Sequence, residues 1–302
     1  MAKRSLRKAR KLRRQGRSLL RLPRWLLVLL VIGIAGAYWF ETQQRQQYAY
    51  AGLPQAGGWS DWGNRHRVLR NDGFMLGYSD LRRNPLWVTY QLVPTPDRPI
   101  GPRPGRFASD WRTVLPKQHD DYTGSGYDRG HLAPNYAIAR VHGRNAQLDT
   151  FLMTNISPQT PELNRELWQR LEQSAMDHFL PLKQELWVIT GPVFNHPPLR
   201  PEARRLPSGF IEIPDAFYKI FIAPAQGQRP LRVLAFLMPQ DVRGNEPLDH
   251  YLVSIRDIET ATGLNFLAAL PEDVQEQLET SIQPAPWQLD SVSRRPGRFS
   301  GR

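Results

Sequence analysis

Eight consecutive residues, Tyr127-Asp128-Arg129-Gly130-His131-Leu132-Ala133-Pro134, set an acid, a guanidinium, a bare backbone position and an imidazole side by side. An imidazole exchanges protons near neutral pH. The Arg129 fork suits a phosphate oxygen pair. Gly130 lets the chain pass close to another group. The plain alternative is a surface turn with a local Asp–Arg pair. The other six histidines, His66, His119, His142, His178, His196 and His250, have no such company and read as ordinary residues.

A second cluster follows as Thr154-Asn155-Ile156-Ser157-Pro158-Gln159, then Leu163-Asn164, Trp168 and Glu172. Positions 164, 168 and 172 fall along one side of a helix, beside a buried leucine stripe. Amide and carboxylate oxygens there suit a hard, hydrated cation such as Mg²⁺. The rise from 164 to 172 is about 12 Å at ~1.5 Å per residue. That separation favours Asn164 as the direct ligand, with Glu172 acting through water. The plain alternative is the wet side of an amphipathic helix.

Several other chemistries are excluded. The chain has no Cys, so it has no disulfide, Cys-ligated zinc, iron–sulfur cluster or thiol nucleophile. It has no phosphate loop ending in Lys-Ser/Thr and no His-Glu-x-x-His. Thr123-Gly124-Ser125-Gly126 lacks the Gly that a nucleophile elbow needs two places before the Ser. Glycines 124, 126 and 130 do not have dinucleotide spacing.

The elements that must position these residues read as one mixed α/β domain. Strands are predicted at 86–93, 186–190, 217–222 and 233–237, each rich in β-branched and aromatic residues. Thr160-Pro161-Glu162 marks a helix start, with Thr160 as the expected N-cap. Leu163, Leu167, Leu171 and Ala175 make its buried stripe. Further helices are predicted near 256–262 and 271–281. Residues 94–106 read as a loop, and the cations within 95–117 (Arg98, Arg103, Arg106, Arg112 and Lys117) form a candidate groove wall.

The charge sits mostly at one end. Lys and Arg total 40 against 28 Asp and Glu, a net charge of +12. Eleven of these cations lie within residues 1–24, leaving 29 basic against 28 acidic residues after Phe40. The basic balance is therefore no sign that the rest of the chain binds nucleic acid. Trp25 to Phe40 is an uncharged apolar run behind that basic tail. Aromatic residues at both ends and positive charge on the N-terminal side fit a single membrane span with a cytoplasmic N-terminus. A cleaved signal peptide competes, because Ala35-Gly36-Ala37 fits a cleavage site. The aromatic bulk directly behind that site favours an uncleaved anchor.

Asp128-Arg129-Gly130-His131 resembles the signature of the DNA/RNA non-specific endonucleases, the ββα-metal group that includes mitochondrial endonuclease G. Asp121-Tyr122-Thr123-Gly124-Ser125-Gly126-Tyr127 resembles the approach to that signature. Asn155 to Gln159, Leu163-Asn164 and Trp168…Leu171-Glu172 are similar to its metal helix in order and spacing. Trp187 to Phe194, Ile213-Pro214…Phe217-Tyr218-Lys219 and Ile258-Glu259…Thr262-Gly263-Leu264 resemble its later blocks. The likeness covers roughly 74–280.

The resemblance implies hydrolysis of DNA or RNA phosphodiesters with one divalent cation, usually Mg²⁺, with Mn²⁺ or another divalent ion also acceptable. It implies His131 as general base, Asn164 as metal ligand and Glu172 orienting water. Arg129 would contact phosphate, and Asn155 would support the site and substrate. A further upstream Arg would hold the transition state, with Arg106 preferred over Arg112. Similar proteins often form homodimers.

The expected fold is α+β, a ββα-metal (His-Me) nuclease fold with a mixed or antiparallel central sheet flanked by helices, behind one transmembrane helix. The expected organisation is a basic cytoplasmic tail (1–24), a signal anchor (25–40), a linker (41–73), the nuclease domain (74–280) and a disordered tail (281–302). The nuclease domain would face the periplasm or an equivalent space. The alternative is a catalytically silent, membrane-tethered nucleic-acid-binding or scaffold protein.

Overall fold

The computed structural model describes residues 23–58, 61–96, 99–209 and 211–297. The expected basic tail at 1–24 falls almost wholly outside the described residues, as does the end of the expected disordered tail. The chain divides into two units, residues 1–45 and 46–302.

In the first unit, helix α1 (Arg24–Arg45) carries the apolar run. It continues past Phe40 into the segment expected as linker. Its 22 residues span about 33 Å at ~1.5 Å each, against a hydrocarbon thickness of ~30 Å. Helix α1 is long and apolar enough to cross a membrane by length and composition.

The second unit is built on one antiparallel sheet of seven strands. In chain order the strands are β1 (Gln55–Ala56), β2 (Arg67–Asn71), β3 (Phe74–Ser79), β4 (Asn84–Leu92), β5 (Asp128–His131), β6 (Ile156–Gln159), β7 (Leu186–Val193), β8 (Ala216–Ala223), β9 (Arg232–Pro239), β10 (Leu252–Val253) and β11 (Leu264–Asn265). The large sheet runs β10-β9-β8-β7-β4-β3-β2, while β5–β6 and β1–β11 form two separate ribbons. Every strand pair is antiparallel.

Both faces of the sheet are covered, so its central strands read as continuous apolar runs rather than alternating ones. Successive side chains still point to opposite faces. Phe217 and Phe221 of β8 enter one core with Leu186 and Val188 of β7. Tyr218, Ile220 and Ile222 enter the other with Trp187 and Ile189.

The helices of this unit are α2 (Asn135–His142), α3 (Arg144–Asp149), α4 (Gln169–Ser174), α5 (Leu180–Lys183), α6 (Ile255–Thr262), α7 (Glu272–Glu279) and α8 (Asp290–Ser293). α4 and α5 belong to one helix over 161–183, interrupted by π-helical turns at Leu163–Trp168 and Ala175–Phe179. Its stripe Leu163, Leu167, Leu171 and Ala175 is buried in the first core, as the spacing predicts. Thr160 stands at the expected N-cap position, where its carbonyl accepts from the Asn164 N–H at 2.9 Å, but its side chain does not cap the helix. The Thr160 hydroxyl donates to the Gln240 carbonyl (2.7 Å), and its backbone N–H donates to Gln240 Oε1 (2.9 Å). α6 instead has a full capping box between Ser254 and Asp257.

Two expected boundaries are corrected. Residues 67–71, expected within the linker, pair with β3 as a strand of the main sheet. The expected disordered tail folds through α8, and Trp287, Leu289 and Val292 enter the first core. The Trp287 ring lies 5.6 Å from Phe179 and 6.4 Å from Phe221. Three apolar residues spaced among Pro, Ser and Arg suffice to anchor a segment whose average composition reads as coil.

Candidate active site

The ribbon β5–β6 feeds directly into the 161–183 helix, giving a strand–strand–helix unit. Its register pairs Asp128 with Gln159, Arg129 with Pro158, Gly130 with Ser157 and His131 with Ile156. Gly130 is needed for close approach. A Cβ there would lie 2.0 Å from Gln159 Oε1.

His131, Arg129, Asn164 and Glu172 all line one cleft of about 770 Å³. The His131 ring is held between Phe107 and Phe151, with ring centroids 5.3 and 5.2 Å away. Burial among these rings, reinforced by the nearby positive charge of Arg103, lowers the His131 pKa to about 3. This departs from the near-neutral value expected for an unperturbed imidazole. His131 Nε2 is buried without a hydrogen-bond partner, as are Oε1 and Nε2 of Gln159. Buried orphans of this kind are uncommon and call for a missing polar group.

Asn164 sits in the first π-helical segment, and such segments recur at functional sites. Its Nδ2 donates to Asp128 Oδ2 at 2.9 Å. The amide nitrogen is thereby committed, and Oδ1 is the atom left to meet a cation. Arg165 donates two further bonds to Asp128, 2.7 and 2.6 Å long. Burial alone would raise the Asp128 pKa, but these hydrogen bonds and the charges of Arg165 and Arg129 bring it below its ordinary value.

Glu172 rests on Lys219 of β8, with Nζ 3.2 Å from Oε1. Lys219 shares the strand parity of Phe217 and Phe221, which turns it toward the helix. Its ammonium also lies 4.3 Å from the centre of the Trp168 ring. Burial pushes the Glu172 carboxyl up and the Lys219 ammonium down, and their contact opposes both shifts.

Arg129 lines the cleft while two of its N–H groups donate to the His119 carbonyl, at 3.0 and 2.7 Å. Its backbone strand and these bonds fix the guanidinium before any ligand arrives.

Two expected site residues are placed elsewhere. Asn155 is fully buried and does not reach the cleft. Its Oδ1 accepts from the Ala133 N–H, and its Nδ2 donates to the carbonyls of Ala133 and Thr150. It supports the turn after His131, and its side chain is not placed on the cleft wall. Arg106 is 65% exposed and pairs with Asp120 at 2.5 Å, outside the cleft lining.

The groove-wall expectation narrows in the same way. Arg112 is tied to Asp110, Asn71 and the Arg70 carbonyl. Lys117 is buried against the Ile156 carbonyl. Arg98 lies outside the described residues. Arg103 is the cation of this loop that lines the cleft. The groove-wall expectation thus holds for Arg103, while Lys219, Asp128 as a partner of Asn164, and the ring pair around His131 were not anticipated. A lysine inside an otherwise apolar strand was the one visible signal.

Comparison with known proteins identifies the family. The profile of the DNA/RNA non-specific endonuclease family matches residues 60–273. A nuclease of Nostoc sp. is 31% identical over 232 residues, covering 72% of this chain and 79% of the relative. Mitochondrial endonuclease G of Bos taurus is 33% identical, covering 64% of this chain and 67% of that protein. In fold, the chain is similar to a solved structure of the EndoG/EndoGI complex, with a TM-score of 0.64 and 23% identity, over 74% of this chain and 91% of that one. With the profile spanning most of the chain and close in sequence to named nucleases, this protein belongs to the DNA/RNA non-specific endonuclease family.

Proposed function

We propose that the chain is a divalent-cation-dependent, sugar-non-specific endonuclease that hydrolyses phosphodiester bonds of DNA and RNA. The observation that carries this reading is that His131 and Asn164 line the same cleft. Neutral His131 takes the proton of the attacking water. Arg129 and Arg103 hold the phosphate and offset its charge. Glu172, kept ionised by Lys219, orients water beside the phosphate.

The cation site passes a simple test of fit. Among the described residues no group of three or more His, Asp or Glu side chains is placed to hold an ion. The donor set in this reading is one amide oxygen, Asn164 Oδ1, with water and phosphate oxygens filling the remaining positions. Mg²⁺ keeps most of its waters and suits such a set. When bound, the cation neutralises negative charge developing on the phosphate. The orphaned nitrogen of His131, on the cleft wall, fits a polar group arriving with water or substrate.

Helix α1 serves in this reading as a single-pass anchor. The N-terminus is cytoplasmic, and the cleft works across the membrane, in the periplasm or an equivalent space. The basic tail sets that orientation.

The test uses the full chain in detergent with supercoiled plasmid and with RNA. Mg²⁺ or Mn²⁺ should support nicking of the plasmid and degradation of RNA, and chelator should stop both. An intact chain inert with either metal would overturn the reading. Release from membranes by alkaline carbonate would overturn the anchor.

A further inference from the structure

The cleft extends well beyond one phosphodiester. From Asn164 to Asp177, both on its wall, the helix rises about 20 Å at ~1.5 Å per residue. The rise per nucleotide along a duplex strand is only ~3.4 Å. Room remains for more of the nucleic acid than the group being cut.

The two ends of the cleft differ in charge. Its lining cations are Arg103, Arg129 and Arg165; Arg129 and Arg165 belong to the His131–Asn164 end, where Asp128, paired with Arg165, and Glu166 also line the wall. The lining residues within 134–137 and 169–177 include no cation and two acids, Glu172 and Asp177. A phosphate is disfavoured there, whereas an uncharged base is not.

The side chains at that end have the chemistry a base needs. Tyr136, the second residue of α2, is 46% exposed on the cleft wall. Met176, facing the same cleft, is partly buried against the first core and offers a soft apolar surface. Gln173 supplies an amide whose Oε1 accepts from Gln169 Nε2 at 3.3 Å.

We propose that this end of the cleft is a nucleobase subsite, in which the Tyr136 ring stacks on a base of the strand whose phosphate lies between His131 and Asn164. The inference rests on the nuclease reading above. Stacking tolerates every base, so the subsite adds affinity without selecting sequence. It does select state. A base must leave its duplex neighbours to meet Tyr136, so single-stranded or frayed nucleic acid binds better than intact duplex.

The experiment uses the full chain in detergent with Mg²⁺. The probe is a single-stranded oligonucleotide with one cleavable phosphodiester, the other linkages being phosphorothioate. The nucleotides flanking that bond carry bases in one version, and in others one or the other is a stable abasic residue. Wild-type protein should favour the fully based probe over one abasic version by about tenfold in kcat/KM. Tyr136→Ala should bring that ratio near one, and Tyr136→Phe should keep it. A wild-type ratio of one for both abasic positions overturns the subsite, whatever the variants do. An undiminished ratio in Tyr136→Ala overturns it as well. Wild-type protein that cleaves no version defeats the nuclease reading itself, which separates that failure from this one.

Discussion

Lys219 Nζ lies 3.2 Å from Glu172 Oε1, with the lysine fully buried and the glutamate side chain 20% exposed at the cleft. The pair forms because β8 alternates its side chains and the 161–183 helix crosses the same face. Removing one member leaves the other charge buried without compensation. Such a loss typically costs 3–5 kcal/mol. The expected outcome for Lys219→Met is a loss of about 3 kcal/mol in urea unfolding of the full chain. Lys219→Met with Glu172→Gln should recover most of that stability without recovering cleavage. An unchanged midpoint for Lys219→Met would show that the pair does not hold in solution.

The two proton-exchanging groups of the cleft titrate in the reverse of their usual order. Burial takes His131 from 6.5 down to about 3, and burial takes Glu172 up from 4.5. His131 must be neutral to accept a proton, and it loses that form only as pH falls through about 3. Glu172 must be charged, and it loses that form first, above its ordinary 4.5. The acid limb of kcat/KM therefore reports Glu172. Lys219→Met removes the charge that holds Glu172 down, so the limb should move to higher pH. A limb at the ordinary imidazole value that ignores Lys219→Met would return the role to an unperturbed His131. His131→Ala should reduce kcat by 10²–10⁴-fold, the usual worth of a general base, with circular dichroism unchanged.

Arg103 and Arg106 stand three residues apart in one loop, yet their surroundings differ. Arg103 faces the cleft and reaches His131 electrostatically. Arg106 spends its charge on an exposed pair with Asp120. Exposed pairs contribute about 0–1 kcal/mol. Arg103→Ala should lower kcat/KM by roughly 10²-fold, the scale of one lost electrostatic contact to the reacting group. Arg106→Ala should stay within about twofold. The opposite order in steady-state kinetics would place the transition-state contact at Arg106.

The parts of the fold legible in the sequence were those with local period or local motif. The stripe Leu163, Leu167, Leu171 and Ala175 is visible from its four-residue spacing, and the runs that form β4, β7, β8 and β9 from their continuous β-branched and aromatic content. The contents of the cleft were partly visible, since Arg129 and His131 are neighbours in sequence and Asn164 and Glu172 share a helix. What stayed hidden depends on distant pairing. Nothing near Lys219 shows that Glu172 lies above it. Nothing near Trp287 shows that Phe179 and Phe221 await its ring. Asn155 looked polar and available, but the structure spends all its hydrogen bonds on Ala133 and Thr150.

Asp128 lines the cleft and holds Asn164 by its amide nitrogen. By accepting from Nδ2, it fixes which end of the amide would face a cation in the proposed site. An amide free to rotate would present nitrogen part of the time and weaken the site. Partners that orient a metal ligand are typically worth 10–100-fold in affinity or activity. Asp128→Ala should therefore raise the Kd for Mn²⁺, measured by calorimetry on the full chain, by about 10–100-fold. Arg165→Ala serves as the comparison, because Arg165 is largely exposed and its loss leaves the Asn164–Asp128 hydrogen bond in place, although its Nε shares Oδ2 with the amide. It should change Mn²⁺ affinity much less. Asp128→Ala should also lose cleavage mostly at low metal and recover it at high metal, because the ligand oxygen remains present. Equal losses at all metal concentrations would mean that Asp128 serves the chemical step directly, rather than the aim of Asn164.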